Sequence, residues 1–536
     1  METDRLSGGS WPAARGGVEG SLMDAFDPTP GPSSSPKGDD PSGPRPVVGH
    51  DLTMGYLGVM SILVGIIILL PLLLLPFYPE ELSVARCFLL PGLGAIGVGA
   101  LLARRIKGRP HGRMYKGQDA TVIVLTWLVA MNVGALPFVL TGDYDFSQAV
   151  FETMSGLSTT TLTVTDVAAA PHLILMYRSV LLFFGGIGLV LVVVSAVSDT
   201  HGMRIYGEEG HTDRLLPNLA RSARLIMGIY CLYIGVGTIA LTCAGMSVFD
   251  ALNHAMGAVA TGGFSTKADN VAAYDSPLIE VILMVLMMLG ATNFMLHMRL
   301  LKRRFGTFFR DIETRTFLVA TAVAVALVTA ILYATGTCPT LASALRVGAF
   351  QAVSAVTTTG FQTVPSLAGW PSAAMLVLVV VMVAGAETNS TGGGIKQWRA
   401  ALLVRMLVWD IRDHVTHRRC VHSNMVERYD RRVPIGAEER QEVLVFVLLY
   451  VVVLLAGTFV YTCFGYSLED SLFQFASALG TVGLSIGIPL ETASPWLLWA
   501  TTIGMFLGRL EIYPVLVVAT HVAQRGNKML RHHARH

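Results

Sequence analysis

Charge is the scarcest property of this chain. Only 14% of its 536 residues are Asp, Glu, Lys or Arg and 52% are hydrophobic, with a mean hydropathy of +0.56. A soluble globular protein carries roughly 25% charged residues, so the shortage argues against a soluble enzyme of this size. It also argues against a disordered chain, which would be polar and charge-rich. The net charge of +2 leaves no basic surplus for nucleic acid, and no such partner is expected. Cysteine is scarce too. Cys87, Cys231, Cys243, Cys338, Cys420 and Cys463 have no paired spacing, which excludes a disulfide framework or zinc site and leaves them as small buried hydrophobes. Redox and phosphate-binding motifs are missing. Gly263-Phe264-Ser265 mimics a Gly-x-Ser motif, but no His is spaced as its partner, so no enzyme is expected. The first 50 or so residues lack an apolar signal-peptide core. They are rich in Gly, Pro and Ser, as in the run from Pro28 to Pro36, and read as a disordered cytoplasmic tail.

What the chain has is long apolar runs. A bilayer core of about 30 Å needs about 20 apolar helical residues to cross. Ten runs qualify, at about 53–77, 83–103, 121–141, 173–198, 223–245, 277–299, 316–335, 372–395, 442–465 and 495–520. Between them lie four shorter stretches, 147–157, 249–260, 340–356 and 469–479, too short to span and too apolar for ordinary loops. These read as re-entrant helices. Lys and Arg gather in every second loop, as at Arg104 to Lys116, Arg299 to Arg315 and the 396–440 segment. Such loops are cytoplasmic, which puts both termini in the cytoplasm and makes all four short helices dip in from outside.

Each short stretch ends in a Thr/Ser/Gly-rich segment, and the four align. Thr159-Thr160-Thr161, Thr261-Gly262-Gly263, Thr358-Thr359-Gly360 and Thr481-Val482-Gly483 fall at matching places, about a hundred residues apart. Self-similarity at such a period marks a repeated supersecondary unit. Here the unit is helix, re-entrant helix, polar loop, helix. A monovalent cation entering the membrane must exchange its water for other oxygens, and rings of backbone carbonyls can supply them. Gly lets successive carbonyls turn toward an axis, and Thr adds hydroxyls. The short helices aim their partly negative C-terminal ends at the cavity, which favours a cation over an anion. These twelve residues are the candidate selectivity filter, holding a monovalent cation through their carbonyls, with no transition metal and no covalent cofactor.

Together with Phe151-Glu152, Arg178-Ser179, Gly185-Gly186-Ile187-Gly188, Ser390-Thr391-Gly392-Gly393-Gly394-Ile395-Lys396 and Gly508-Arg509-Leu510-Glu511-Ile512, these loops resemble the Trk/Ktr/HKT superfamily of potassium transporters over about residues 50–520. The two extra N-terminal runs are closest to its TrkH-type membrane subunit. The resemblance implies an all-α polytopic membrane protein, with two N-terminal helices and four membrane–pore-helix–membrane repeats around a central pore. It implies K⁺ uptake at the cell membrane, a homodimer, and a cytosolic nucleotide-binding regulatory subunit of the TrkA/KtrA type. The three glycines after Ser390 and Thr391 should break the eighth run. In the family this loop is the gate, so Ser390, Thr391, Gly392, Gly393 and Gly394 are gate candidates. An intramembrane charge is expensive and marks function, and the resemblance puts Arg509 beside that gate.

The chain departs from the family at two points. Thr161 stands where bacterial members carry Gly. Plant members with Ser there pass Na⁺, so weaker K⁺/Na⁺ discrimination is expected, from a backbone restricted by the Cβ. Glu387 precedes the gate loop where small residues are usual, and is a candidate modulator that pairs with Arg509 or attracts cations. The expected organisation is a tail (1–50), a two-helix unit (51–116), repeats at 117–215, 216–310 and 311–410, a cytoplasmic linker (411–440), and a fourth repeat with its tail (441–536). The alternatives are an H⁺- or Na⁺-coupled cation symporter and a Na⁺-permeable HKT-like transporter. A coupled transporter normally shows an inverted twofold repeat, whereas these four repeats share one orientation.

Overall fold

The computed structural model describes residues 49–106, 118–188, 219–301, 303, 305–416, 424–428 and 431–533. The expected tail and parts of the basic loops lie outside them. The chain opens with an antiparallel pair, His50–Leu69 and Leu82–Ala103. Its helices meet where a Cβ on Gly58 would sit 2.7 Å from the Gly99 carbonyl oxygen, and one on Gly99 equally close to that of Gly58. Small residues let helix backbones approach in this way where lipid supplies no hydrophobic drive. The outward side carries Leu90, Leu93, Val98 and Leu101, all exposed, as a lipid-facing surface requires.

Four repeats follow. Each has an outer helix, a short helix and an inner helix. The outer helices are Gln118–Gly134, Leu219–Cys243, Ile312–Ala334 and Ala437–Cys463. The short helices are Phe146–Leu157, Val248–Ala260, Leu341–Val356 and Leu468–Leu479, within a few residues of the expected stretches. The inner helices begin at His172, Pro277, Ser372 and Pro495. A hairpin of Met425–Arg428 paired antiparallel with Arg431–Pro434 precedes the fourth repeat, inside the expected linker.

The inner helices correct the picture of ten continuous runs. The 277–299 run bends by 112° between Pro277–Ala291 and Phe294–Leu300, and the 495–520 run by 110° between Pro495–Arg509 and Tyr513–Gln524. The 372–395 run stops at Ala384 and the 173–198 run at Ile187; the latter's end past Gly188 lies outside the described residues. Among those residues, six helices are long and apolar enough to cross a bilayer, or eight if each bent pair is one span. The departures from helix sit at single residues. Thr292 is extended (φ −88°, ψ 145°), while Gly385, Glu511 and Ile512 take φ of 71°, 53° and 61°. Apolar composition reports depth in the membrane, and non-helical backbone there is tolerated where it is enclosed by protein. The cysteines are a second correction. Cys87 is buried, but Cys231, Cys243 and Cys463 are exposed on helices whose outer faces are apolar.

Candidate functional site

Each short helix starts on a side-chain cap. Asp145 accepts from the Gln148 N–H (2.8 Å), Ser247 from Asp250 (3.0 Å), Thr340 from Ser343 (3.1 Å) and Ser467 from Asp470 (3.1 Å). Such caps satisfy orphan N–H groups. All four helices also end on the same turn. The Thr160, Gly262, Thr359 and Val482 N–H groups donate to carbonyls five residues back, on Ser155, Gly257, Ser354 and Ser477, at 2.8–2.9 Å. The residue just before each donor is a left-handed threonine. Thr159, Thr261, Thr358 and Thr481 have φ of 61°, 51°, 54° and 52°. A non-glycine residue at positive φ is uncommon, so four at matching places are one backbone motif repeated.

The loops join into a closed ring. The Gly263 N–H donates to Thr161 Oγ1 (2.9 Å), linking the second loop to the first. A Cβ on Gly263 would strike the Gly360 backbone, one on Gly360 the Val482 carbonyl, and one on Gly483 the Thr160 carbonyl. The order of contact is therefore first, second, third, fourth and back to first. Gly360 and Gly483 have φ of 89° and 93°, and Thr161 has 65°. The threonine thus takes a left-handed backbone despite its branched Cβ, and its hydroxyl is spent on the neighbouring loop.

Buried polar groups brace the ring from behind. Arg178 donates through Nε to Glu152 (2.7 Å) and through an amino group to Thr163 (3.0 Å), with its guanidinium 3.9 Å from the Phe264 ring centre. Glu152 also accepts from the Val164 N–H (2.9 Å). One ion pair therefore fixes the first loop and touches the second. Asn270 donates to the Gly263 carbonyl (3.1 Å), and Gln362 to that of Ser485 (3.0 Å). Sequence reasoning missed Asn270 and Gln362. Nothing separates them from other polar loop residues until the loops are placed side by side.

Directly against the ring lies the 385–396 segment, which brings the five gate candidates together. The Gly393 N–H donates to Thr358 Oγ1 (2.9 Å), one of the four left-handed threonines. The hydroxyls of two others, Thr159 and Thr481, are buried without a hydrogen-bond partner, and that of Thr261 turns to the Ala260 carbonyl (2.7 Å). Thr391 Oγ1 lies 3.1 Å and 3.0 Å from the Val259 and Gly290 carbonyl oxygens. Ser390 Oγ donates to the Glu387 carbonyl (2.5 Å). A Cβ on Gly392 would lie 2.7 Å from Thr358 Oγ1, and one on Gly393 would strike Thr481 Oγ1. Only a glycine run fits so close beneath two loops.

Arg509 ends the last inner helix at its break. It donates to the Thr391 carbonyl (3.2 Å), the Gly186 carbonyl (3.3 Å) and the Gly185 carbonyl. It therefore ties the 385–396 segment to the end of the first repeat's inner helix. Lys396 donates to the Gly392 carbonyl, and Arg399 pairs with Glu511 (2.7 Å). Glu387 points toward the second repeat's break, where its carboxylate accepts from the Asn293 N–H (2.9 Å) and its own N–H donates to the Ala291 carbonyl (3.1 Å). Its neighbour Thr388 donates to Glu313 (2.7 Å). Asn293 and Glu313 were not singled out from the sequence, and Lys396 appeared there only as the end of the Ser390–Lys396 motif.

The TrkH profile, described as a cation transport protein, matches residues 108–529. The chain belongs to the TrkH family. This TrkH-family chain is 30% identical over 484 residues to the Trk system potassium uptake protein TrkH of Salmonella typhimurium, covering 86% of this chain and 97% of that protein. It is 32% identical over 442 residues to the TrkH of Halomonas elongata, covering 79% and 89%. Among solved structures it is similar to the potassium transporter TrkH from Vibrio parahaemolyticus, with a TM-score of 0.76, 25% identity and coverage of 87% and 98%. It is accordingly a multi-pass helical membrane protein of a cation transport family.

Proposed function

We propose that this chain is the K⁺-translocating subunit of a Trk-type uptake system, with channel-like permeation through the ring of four loops. Carbonyls of Thr159, Thr160, Thr161, Thr261, Gly262, Gly263, Thr358, Thr359, Gly360, Thr481, Val482 and Gly483 replace the ion's water. The observation that carries the reading is the closed ring of four matching left-handed turns at the C-terminal ends of four short helices. Helix C-termini favour cations, and the buried, partnerless hydroxyls of Thr159 and Thr481 are oxygens free to accept one. The names of the relatives support K⁺ as the ion.

The 385–396 segment is the gate in this reading. Its glycines lie against the ring, and Arg509 pins it across to the first repeat. Flux needs the segment to leave Thr358 and the Arg509 bonds to be exchanged. Glu387 tunes the segment through Asn293. The division into four repeats with an intervening linker follows the ring. Both termini are cytoplasmic, because Lys and Arg accumulate on that side, and the membrane is the plasma membrane. An inside-negative potential supplies about 2.3 kcal/mol per charge per 100 mV, enough for accumulation without chemistry in this chain. The Trk system names of the relatives support further components. Those are a second copy of the chain and a cytosolic nucleotide-binding partner of the TrkA/KtrA type.

Growth of a potassium-uptake-deficient bacterium across a K⁺ series, with and without Na⁺, tests the reading. Rescue at low K⁺ is expected. Failure to rescue with well-inserted protein and a co-expressed regulatory partner overturns it. Rescue only when Na⁺ is present points to coupled symport instead.

A further inference from the structure

Away from the ring, a cavity of about 680 Å³ lies between the start of the third repeat's outer helix, the helix Gln397–Val415 and the hairpin. Arg310, Arg315, Arg405 and Arg432 line it, all exposed, with Glu427 as its single acid. None of these four arginines forms an ion pair among the described residues. Four exposed cations around one acid, Glu427 opposite Arg432 in the hairpin, leave a positive surplus that gains from an anion.

The rest of the wall is apolar. Val319 and Val323 are 62% and 51% exposed, and Val404 and Val408 are 61% and 51%. Arg315, Val319 and Val323 follow one another at four-residue spacing on the outer helix, so they form one stripe. That stripe starts with charge at the helix end and runs toward the middle of the span as valine. Val404 and Val408 repeat the spacing on the facing helix beside Arg405. The cavity therefore combines a basic lining with exposed valines on two helices, the pairing of surfaces that an anionic amphiphile needs. A free phosphate gains nothing from the valines, and a zwitterionic lipid gains little from four arginines against one glutamate.

We propose that this cavity binds an anionic phospholipid of the cytoplasmic leaflet, its phosphate between Arg315 and Arg405 and its acyl chains along Val319 and Val323. Basic pockets between spanning helices on the cytoplasmic side suit such headgroups. The leaflet rests on the orientation given above; the binding does not. The site has a consequence for the 385–396 segment. Glu313, two residues before Arg315, accepts from Thr388, and Gln397 begins the facing helix as that segment ends. A lipid here grips both flanks of the segment.

Native mass spectrometry of the full chain in dodecyl maltoside, titrated with dioleoyl phosphatidylglycerol or dioleoyl phosphatidylcholine, counts bound lipid independently of transport. Phosphatidylglycerol should bind in preference, and R315Q/R405Q should lower its occupancy roughly tenfold. Arg86→Gln, on the helix Leu82–Ala103 and outside the cavity lining, should leave it unchanged. Should R315Q/R405Q elute as aggregate, R310Q/R432Q is measured by the same criteria. Equal binding of the two lipids, or unchanged phosphatidylglycerol occupancy in the folded double variant, overturns the proposal. So does displacement of the lipid by an equal concentration of glycerol 3-phosphate, which would make the cavity a soluble-anion site.

Discussion

At the ends of the short helices the four repeats are near copies; at the breaks of their inner helices they are four different structures. The left-handed threonines agree within 10° in φ, from 51° to 61°. The inner helices stop at Ile187, bend at Thr292 and Asn293, open into a segment running from Gly385 to Lys396, or turn on Glu511 and Ile512. A shell that replaces water around a cation needs the same oxygen geometry from every side, so the symmetry of the ring agrees with the filter role proposed for it. A gate needs one element that can move while its neighbours hold. In the proposed reading, breaking all four helices makes room beneath the ring, and filling that room from one repeat would leave a single moving part.

The largest effect should come from breaking the symmetric side. In Gly483→Ala the new Cβ strikes the Thr160 carbonyl and sits on a backbone at φ 93°. The left-handed region costs an L-residue about 1–2 kcal/mol before any clash. Rubidium uptake by vesicles should fall below detection at matched insertion, and near-normal uptake would remove Gly483 from the ion path. Glu152→Gln should act next, through stability. It leaves Arg178 buried without its counter-charge, which costs about 3–5 kcal/mol. The thermal midpoint in detergent should drop and be partly recovered in E152Q/R178M; an unchanged midpoint would dissolve the brace. The asymmetric side should respond in the opposite direction. Arg509→Gln removes charge-assisted bonds to three carbonyls, worth about 1.5–3 kcal/mol each, so uptake should rise several-fold. A fall at matched insertion would make Arg509 structural and not a gate.

The symmetric side was legible in the sequence, down to the residues that share a place in the ring. A re-entrant helix has a length and a composition, and the loop after it opens on Thr in all four copies and closes on Gly in three, a spelling that can be aligned on itself. The breaks were not legible, apart from the triple glycine. Thr292-Asn293 and Glu511-Ile512 sit inside or beside apolar runs that hydropathy reads as continuous. What breaks them is a tertiary partner, such as Glu387 accepting from the Asn293 N–H. Glu152 and Arg178 entered the sequence reading only through the family resemblance, and their pairing needed two helices packed together.

Thr161 is the point where the comparison is finest, since it is the one side chain at a place that three glycines fill. The sequence suggests that a Cβ there pushes a carbonyl out of the ring and weakens K⁺/Na⁺ discrimination. The backbone at φ 65° shows the left-handed turn already made, and the hydroxyl takes the Gly263 N–H at 2.9 Å. Replacing it with glycine therefore removes one inter-loop hydrogen bond, worth about 1 kcal/mol, and frees a turn that was clamped. The K⁺/Na⁺ flux ratio of Thr161→Gly should shift by only about two- to threefold, the smallest change of the set. A tenfold gain in discrimination would mean that the threonine does displace its carbonyl during conduction. Identical ratio and identical thermal stability would mean that the clamp contributes nothing and the ring is held by its glycine contacts alone.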